Sequence, residues 1–245
     1  MNRRHLWTGL GAFLLGVGSL WAKASGSSTA NFLKLGVGGR GVAMGEAHTA
    51  AVDDVMSLYW NPAGLGYLYL NEVGFMHNNF VQGISQDVFY YARPTETKGT
   101  FGAGVSMLRI NDIAGFDASD IPTGNVQASA PMLTFWWGKS MEQLVWFRGM
   151  RVGANLKILR KTLDRTSALG YMTDLGLLYE TRGGWFHGLN TGFVIQNLGT
   201  GLSMGGKKSN FPLQMKLGFA YPMFGDNLVL ATDLVLPTDG SLYIN

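Results

Sequence analysis

From Val73 onward the chain alternates apolar with small or polar side chains in segments of about ten residues, the period of a β-strand with two unlike faces. In Met150 to Leu159, the side chains Met150, Val152, Ala154, Leu156 and Ile158 share one face and Arg151, Gly153, Asn155 and Lys157 share the other. The same split recurs with Leu213, Met215, Leu217, Phe219 and Tyr221 against Gln214, Lys216, Gly218 and Ala220, and with Tyr171, Leu175, Leu177 and Tyr179 against Asp174, Gly176 and Glu180. The pattern predicts about nine strands, near 72–80, 85–93, 99–110, 125–138, 149–160, 169–180, 188–197, 212–221 and 227–236, with a tenth starting at Leu242.

The connections Thr181-Arg182-Gly183-Gly184 and Phe224-Gly225-Asp226-Asn227 are hairpin-sized, so sequence neighbours should pair antiparallel. Two longer links, Asn111 to Gly124 and Thr200 to Asn210, read as solvated loops. Segments this long can cross a bilayer when tilted, with longer loops outside the cell and short turns facing the periplasm. Aromatics gather near segment ends (Tyr67 and Tyr69, Tyr90 and Tyr91, Trp136 and Trp137, Trp146 and Phe147, Trp185 and Phe186, Tyr221), where rings suit a water–lipid boundary. Periodicity alone does not separate a membrane barrel from a secreted β-sandwich, whose strands alternate in the same way. The last residues, Ser241 to Asn245, begin a strand that breaks off, so a barrel would be truncated at the C-terminus or closed differently.

Composition narrows the choice. The chain is 47% hydrophobic with 35 glycines and only 14% charged residues, which suits short strands joined by turns better than a helix-rich soluble domain. After residue 24 no apolar run approaches the roughly 18 to 20 residues of a spanning helix. Arg3 and Arg4, the apolar stretch Leu6 to Trp21 and Ala22-Lys23-Ala24 predict a cleaved secretory signal peptide over residues 1–24, leaving one domain over 25–245. With no cysteine, neither a lipid anchor nor a disulfide is available. The formal charge of +3 gives no case for nucleic-acid binding.

Little in the chain points to catalysis. Gly36-x-Gly38-x-x-Gly41 matches the dinucleotide-binding fingerprint but lacks the preceding strand and βαβ unit that make it meaningful. His48, His77 and His187 lack metal-site spacing, Asp112, Asp117 and Asp120 lack the regular spacing of a calcium loop, and no serine sits in a nucleophile elbow. No catalytic residue, metal or cofactor is expected. The glycine turn instead introduces a predicted helix over about 39–52, whose residues Gly41, Gly45 and Thr49 and residues Ala43, Ala47 and Ala51 repeat every four positions and would allow close packing.

The run Gly38-Gly39-Arg40-Gly41-x-Ala43-Met44-Gly45-Glu46-Ala47, followed by Asp53-Asp54 and Tyr59-Trp60-Asn61-Pro62-Ala63-Gly64-Leu65, resembles the N-terminal signature of PorV/PorQ-type proteins in the FadL-like outer-membrane superfamily. It is also similar to an uncharacterised spirochaetal set of such proteins. The resemblance covers about 30 residues. It implies an all-β, antiparallel transmembrane β-barrel in the outer membrane with a short N-terminal helical hatch at about 31–66. The triplet Asn61, Pro62 and Ala63 would be the hatch motif, and Gly38, Gly39, Gly41 and Gly45 its turn and helix. By the same resemblance the protein is expected to transport hydrophobic small molecules, with long-chain fatty acids as the implied class. The alternative is a non-transporting scaffold that binds secretion-system proteins. In either case outer-membrane lipid surrounds the barrel, and Arg151, Lys157, Asp174 and Lys216 line its lumen with Arg109 near a rim.

Overall fold

The computed structural model describes residues 28–224 and 227–245, and the predicted signal peptide lies outside the described residues. The fold is all-β and antiparallel. Ten strands form one sheet: β1 (Glu72–Asn79), β2 (Ile84–Thr95), β3 (Gly99–Phe116), β4 (Pro122–Ser140), β5 (Met150–Leu163), β6 (Thr166–Glu180), β7 (Asn190–Gly199), β10 (Gln214–Met223), β11 (Leu228–Pro237) and β12 (Tyr243–Ile244). Two three-residue strands, β8 (Leu202–Met204) and β9 (Lys207–Ser209), make a separate hairpin in the link between β7 and β10. Every neighbour in the main sheet is antiparallel and sequential apart from that insertion, as short connections dictate. Among the described residues no helix is long and apolar enough to cross a membrane.

Two expectations require correction. The segment Asn111 to Gly124 is not a loop: β3 and β4 run on as one long hairpin closed at residues 117–121. A register shift between Ile110 and Ile113 breaks the two-residue alternation there, which disguises the strand in the sequence. The turn is closed by Asp117, whose carboxylate accepts from Ser119 N (2.8 Å) and Ile121 N (2.9 Å). The helix expected over 39–52 stops at Ala43, because Gly45 (φ 65°) and Glu46 (φ 67°) turn left-handed and cap it. The all-β antiparallel class holds, and among the described residues the sheet has β1 at one edge and β12 at the other.

The two faces of this sheet are inverted relative to a soluble sandwich. Apolar side chains stand on the exposed face in rows that follow the register, such as Phe75, Phe89, Val105, Leu133, Ile158 and Tyr171 across β1 to β6. A neighbouring row contains Val73, Tyr91, Ala103, Phe135 and Leu156, the last 48% exposed. The buried face carries Gln86, Thr134, Arg151, Asn155, Lys157, Asp174, Gln196, Lys216 and Asp233. The face assignments drawn from β5, β6 and β10 therefore hold. Arg109 instead points outward, paired with Asp87, which also contacts His77. Of the aromatic pairs, Tyr91 and Trp137 face outward while Tyr90 and Trp136 turn inward and meet edge-on at 5.0 Å.

Two charges on the buried face, Lys157 and Asp174, satisfy one another. Lys157 Nζ lies 2.6 Å from Asp174 Oδ2 and donates to Asn197 Oδ1 at 3.0 Å. Asn155 Nδ2 donates to Asp174 Oδ2, and Asp174 Oδ1 accepts from Asn197 N, each at 2.7 Å. Asp174 sits where the β6–β7 register shifts, and Asn197 (φ 62°) is left-handed, so local distortion aims these groups at each other. Removing one partner would strand a buried charge. We predict that Lys157→Met destabilises the folded sheet by about 3 to 5 kcal/mol, and that Lys157→Met combined with Asp174→Asn costs less than the sum of the single changes. Urea unfolding of the solubilised protein followed by circular dichroism checks both; additive losses would show that the pair is not coupled.

Candidate functional site

Residues 28–71 precede the sheet and pack on its buried face, forming short turns rather than strands. The glycines of the sheet decide where this segment sits. Gly138 on β4 pairs directly with Gly153 on β5, which pairs with Gly176 on β6, and Gly192 on β7 pairs with Gly218 on β10. A Cβ on Gly138 would meet Pro62 O at 2.7 Å, one on Gly153 would strike the Pro62 and Ala63 backbone, and one on Gly176 would strike Asn61 Oδ1. Gly192 and Gly218 leave the same room for Thr49 and Ala50. The row is thus a track without side chains along which one backbone lies on another.

Asn61 fastens the segment to this track. It is fully buried, and its amide donates to Thr49 O (3.0 Å) and Leu177 O (3.3 Å) while its Oδ1 accepts from Ala63 N (3.1 Å). One side chain therefore ties together two parts of the N-terminal segment and strand β6. Pro62 follows at the first position of the turn Pro62–Tyr67, where its missing N–H costs nothing and its ring holds Asn61 extended.

Other strands hold the segment through side chains that reach its backbone. Gln196 Nε2 on β7 donates to Tyr59 O (2.8 Å) and Trp60 O (3.0 Å), and Trp136 Nε1 on β4 to Leu58 O (2.6 Å). Asp233 Oδ2 on β11 accepts from His48 N (3.1 Å) and Thr49 N (3.0 Å), and Glu72 Oε2 on β1 from Val55 N (2.8 Å). Trp60 is the centre: its N–H donates to Val37 O at 2.7 Å, Lys216 Nζ stands 5.2 Å from its ring centroid, and Tyr59 and His48 meet it edge-on. Arg151 lies over the Tyr67 ring at 3.5 Å.

Of the residues singled out in the sequence, Asn61, Pro62 and Ala63 come together on the glycine track. Gly41 packs on Trp60, whose indole would lie 2.6 Å from an added Cβ, and Gly38 (φ 85°) packs on Met56 and donates to Met76 Sδ at 3.1 Å. Gly39 and Gly45 have open space beside them, and Gly45 serves only the left-handed turn. Trp60, Gln196, Trp136 and Asp233 were not foreseen as anchors. Their signal was the glycines on the polar faces of successive strands, which mark a close backbone approach.

At the end of the sheet where β3 and β4 extend, the buried face turns apolar. Leu33, Leu108, Ala130, Met132, Leu159, Met172, Leu202 and Phe211 form a cluster there. Beside it opens a pocket of about 400 Å³ lined by Phe32, Leu108 and Ala130, with Ser129, Thr162 and Lys161 also in its wall.

An antiparallel sheet with an apolar outer face, a polar inner face and an N-terminal segment held on a glycine track defines the architecture. The chain belongs to the uncharacterised protein family UPF0164, whose model matches residues 18–173, a span that takes in the segment and the strands from β1 into β6. Comparison with curated proteins returns no match.

Two predictions follow from the seating. Gly176→Ala should unseat residues 47–65 and expose them to protease, with a loss of about 1 to 3 kcal/mol as in other overpacked sites, whereas Gly39→Ala should leave protection unchanged; equal protection in both variants would refute the track. His48 is buried, and burial, reinforced by the Arg40 guanidinium and opposed by Asp53, pushes its pKa down from 6.5 to about 4. The unseated histidine binds its proton more readily, so this contribution to seating is complete above pH 6.5, falls as the pH drops towards 4 and is then constant. Protease protection measured across that window should fall in the native chain by an amount that His48→Phe largely removes.

Proposed function

We propose that this protein is an outer-membrane transport protein for hydrophobic small molecules, with long-chain fatty acids as the class suggested by its resemblance to FadL-like proteins, and that residues 31–66 act as its hatch. It has a binding and transport role rather than an enzymatic one. The observation that carries this reading is the inverted polarity of the sheet: apolar rows on the outside suit lipid, and charged or amide groups inside suit a water-containing lumen. Irregular backbone such as the hatch is tolerated at membrane depth only where protein or lumen water satisfies it, which is the service given by Asn61, Gln196 and Asp233. The pocket supports a ligand of mixed character, since its apolar wall would take a hydrocarbon chain and Lys161 with the nearby hydroxyls would meet a polar head.

Two measurements test the proposal. Leu156→Arg should destabilise the protein in lipid by about 2 to 4 kcal/mol, the depth-dependent cost of a lipid-facing charge near the midplane, and fractionation should find the mature chain with the outer membrane; a stable, soluble Leu156→Arg variant would reject the membrane reading. Asn61→Ala removes the bonds to Thr49 and Leu177, so uptake of a labelled long-chain fatty acid by cells should rise while the sheet stays folded. Uptake identical to the unmodified chain, with release of the hatch verified by protease, would reject transport.

A further inference from the structure

The far parts of β3 and β4 stand apart from the rest of the sheet. Along them β2 reaches only Ile110 and β5 only Ala128, so residues 111–127 pair with each other alone, from Ile113 with Val126 to Phe116 with Pro122. Residues 111–116 carry this ribbon roughly 20 Å beyond its neighbours, at ~3.3 Å per residue. A two-stranded ribbon is marginal in water unless something covers it. Beside its turn, however, Phe116 and Ile121 are 59% and 58% exposed. Its charge is one-sided as well: residues 111–127 contain three aspartates and no lysine or arginine.

The opposite charge stands at the same end of the sheet, because alternate connections of a meander emerge together. Arg160 lies near the end of β5, Arg165 in the β5–β6 turn, and Lys207 and Lys208 in the β8–β9 hairpin, all four exposed. The hairpin is held over β6, where a Cβ on Gly170 would meet Leu202 Cδ2 at 3.0 Å and the Phe211 ring at 2.5 Å. Asp164 is the only acid in residues 160–165 and 200–213. None of the four cations enters an ion pair among the described residues. Leu169, in register with Arg160, adds an exposed apolar side chain to this basic shoulder.

We propose that the ribbon is a dimerisation arm, and that the acidic tip of each copy lies on the basic shoulder of a second copy. The two surfaces complement each other, yet the paired strands of the ribbon hold the tip away from its own shoulder. In the membrane-embedded reading both copies present these ends on the same side, and the roughly 35–45° tilt of barrel strands leans the ribbon over a neighbour. Ribbon and shoulder sit on one rim, so a single twofold axis forms both contacts at once and association stops at two. Opposite charges fix the orientation of the contact, and Phe116 with Ile121 supplies an apolar anchor against Leu169. Assembly of this kind does not depend on what the protein transports.

The chain has no cysteine, so single thiols can report the contact. Ser119→Cys places one at the tip and Lys207→Cys one on the shoulder, both at exposed positions. In membranes of cells producing the two variants together, a short bis-maleimide should link them into a dimer, whereas either variant alone should link much less. In mild detergent, sedimentation of the unmodified full-length protein should give a dimer that salt weakens. Phe116→Ser, and separately Lys207→Glu with Lys208→Glu, should each raise the dissociation constant roughly tenfold while circular dichroism stays unchanged. The paired lysine change leaves the ribbon untouched, so it decides the matter even where Phe116→Ser unfolds its hairpin. A monomer at every concentration would overturn the arm and leave the ribbon to a different protein. A dimer that neither change weakens, or linkage as strong within one variant as between two, would place the contact elsewhere and equally overturn it.

Discussion

The contact on which the rest of the structure depends is that of one backbone lying on another. Pro62 and Ala63 rest on Gly138, Gly153 and Gly176, three residues aligned by register across adjacent strands. A methyl group at any of them would hold the segment off the sheet, and with it the buried amide of Asn61, which needs Leu177 O on one side and Thr49 O on the other. Close approach in turn explains the short bonds from Gln196 and Trp136, whose side chains have just enough reach to find the carbonyls of the segment. The glycines act together as a geometric condition, and the polar anchors are its consequence.

Polarity follows from the same arrangement. A sheet whose inner face must accept an irregular segment has to supply donors and acceptors there, because unpaired backbone groups in a closed space cost more than the burial of apolar atoms returns. The inner face accordingly uses Gln, Asn, Asp and Lys: Lys157 and Asp174 pair with each other and with Asn197 and Asn155, while the Lys216 ammonium stands over the Trp60 ring. Apolar residues also gather in clusters beneath the segment and at the extended end of β3 and β4, and the rest form the exposed rows of the outer face.

The alternation of β5, β6 and β10 was legible in the sequence because polar residues or glycine occupy most inner positions along their middles, which leaves the period clear. Strand pairing was legible from short connections. The extension of β3 and β4 was hidden because a register shift at Ile110 and Ile113 reverses the period within a polar stretch. The length of the Gly39 helix was overestimated since repeats of small residues do not reveal that Gly45 and Glu46 turn left-handed. The triplet Asn61, Pro62 and Ala63 stood out by motif, whereas its partners lie far away in sequence: Asn61 and Leu177 are separated by 116 positions. Only pairing between strands brings the glycines of the track into line, so no local pattern identifies their common purpose.

The apolar pocket and the polar anchors are joined by a chain of named contacts. Phe32 lines the pocket, and Leu33 beside it belongs to the apolar cluster. Leu33 O accepts from the Tyr59 hydroxyl at 3.0 Å, and the Tyr59 ring stands edge-on to Trp60 at 4.9 Å. Trp60 is followed by Asn61, and the carbonyls of Tyr59 and Trp60 are the acceptors for Gln196. In the transport reading, a hydrocarbon chain entering the pocket displaces Phe32 and Leu33, and the displacement reaches the hatch through Tyr59 rather than through the sheet, whose paired strands are too stiff to follow. The ligand would then loosen the segment at the Gln196 bonds before those of Asn61, so opening would begin at the pocket side while the glycine track still holds Pro62 in register.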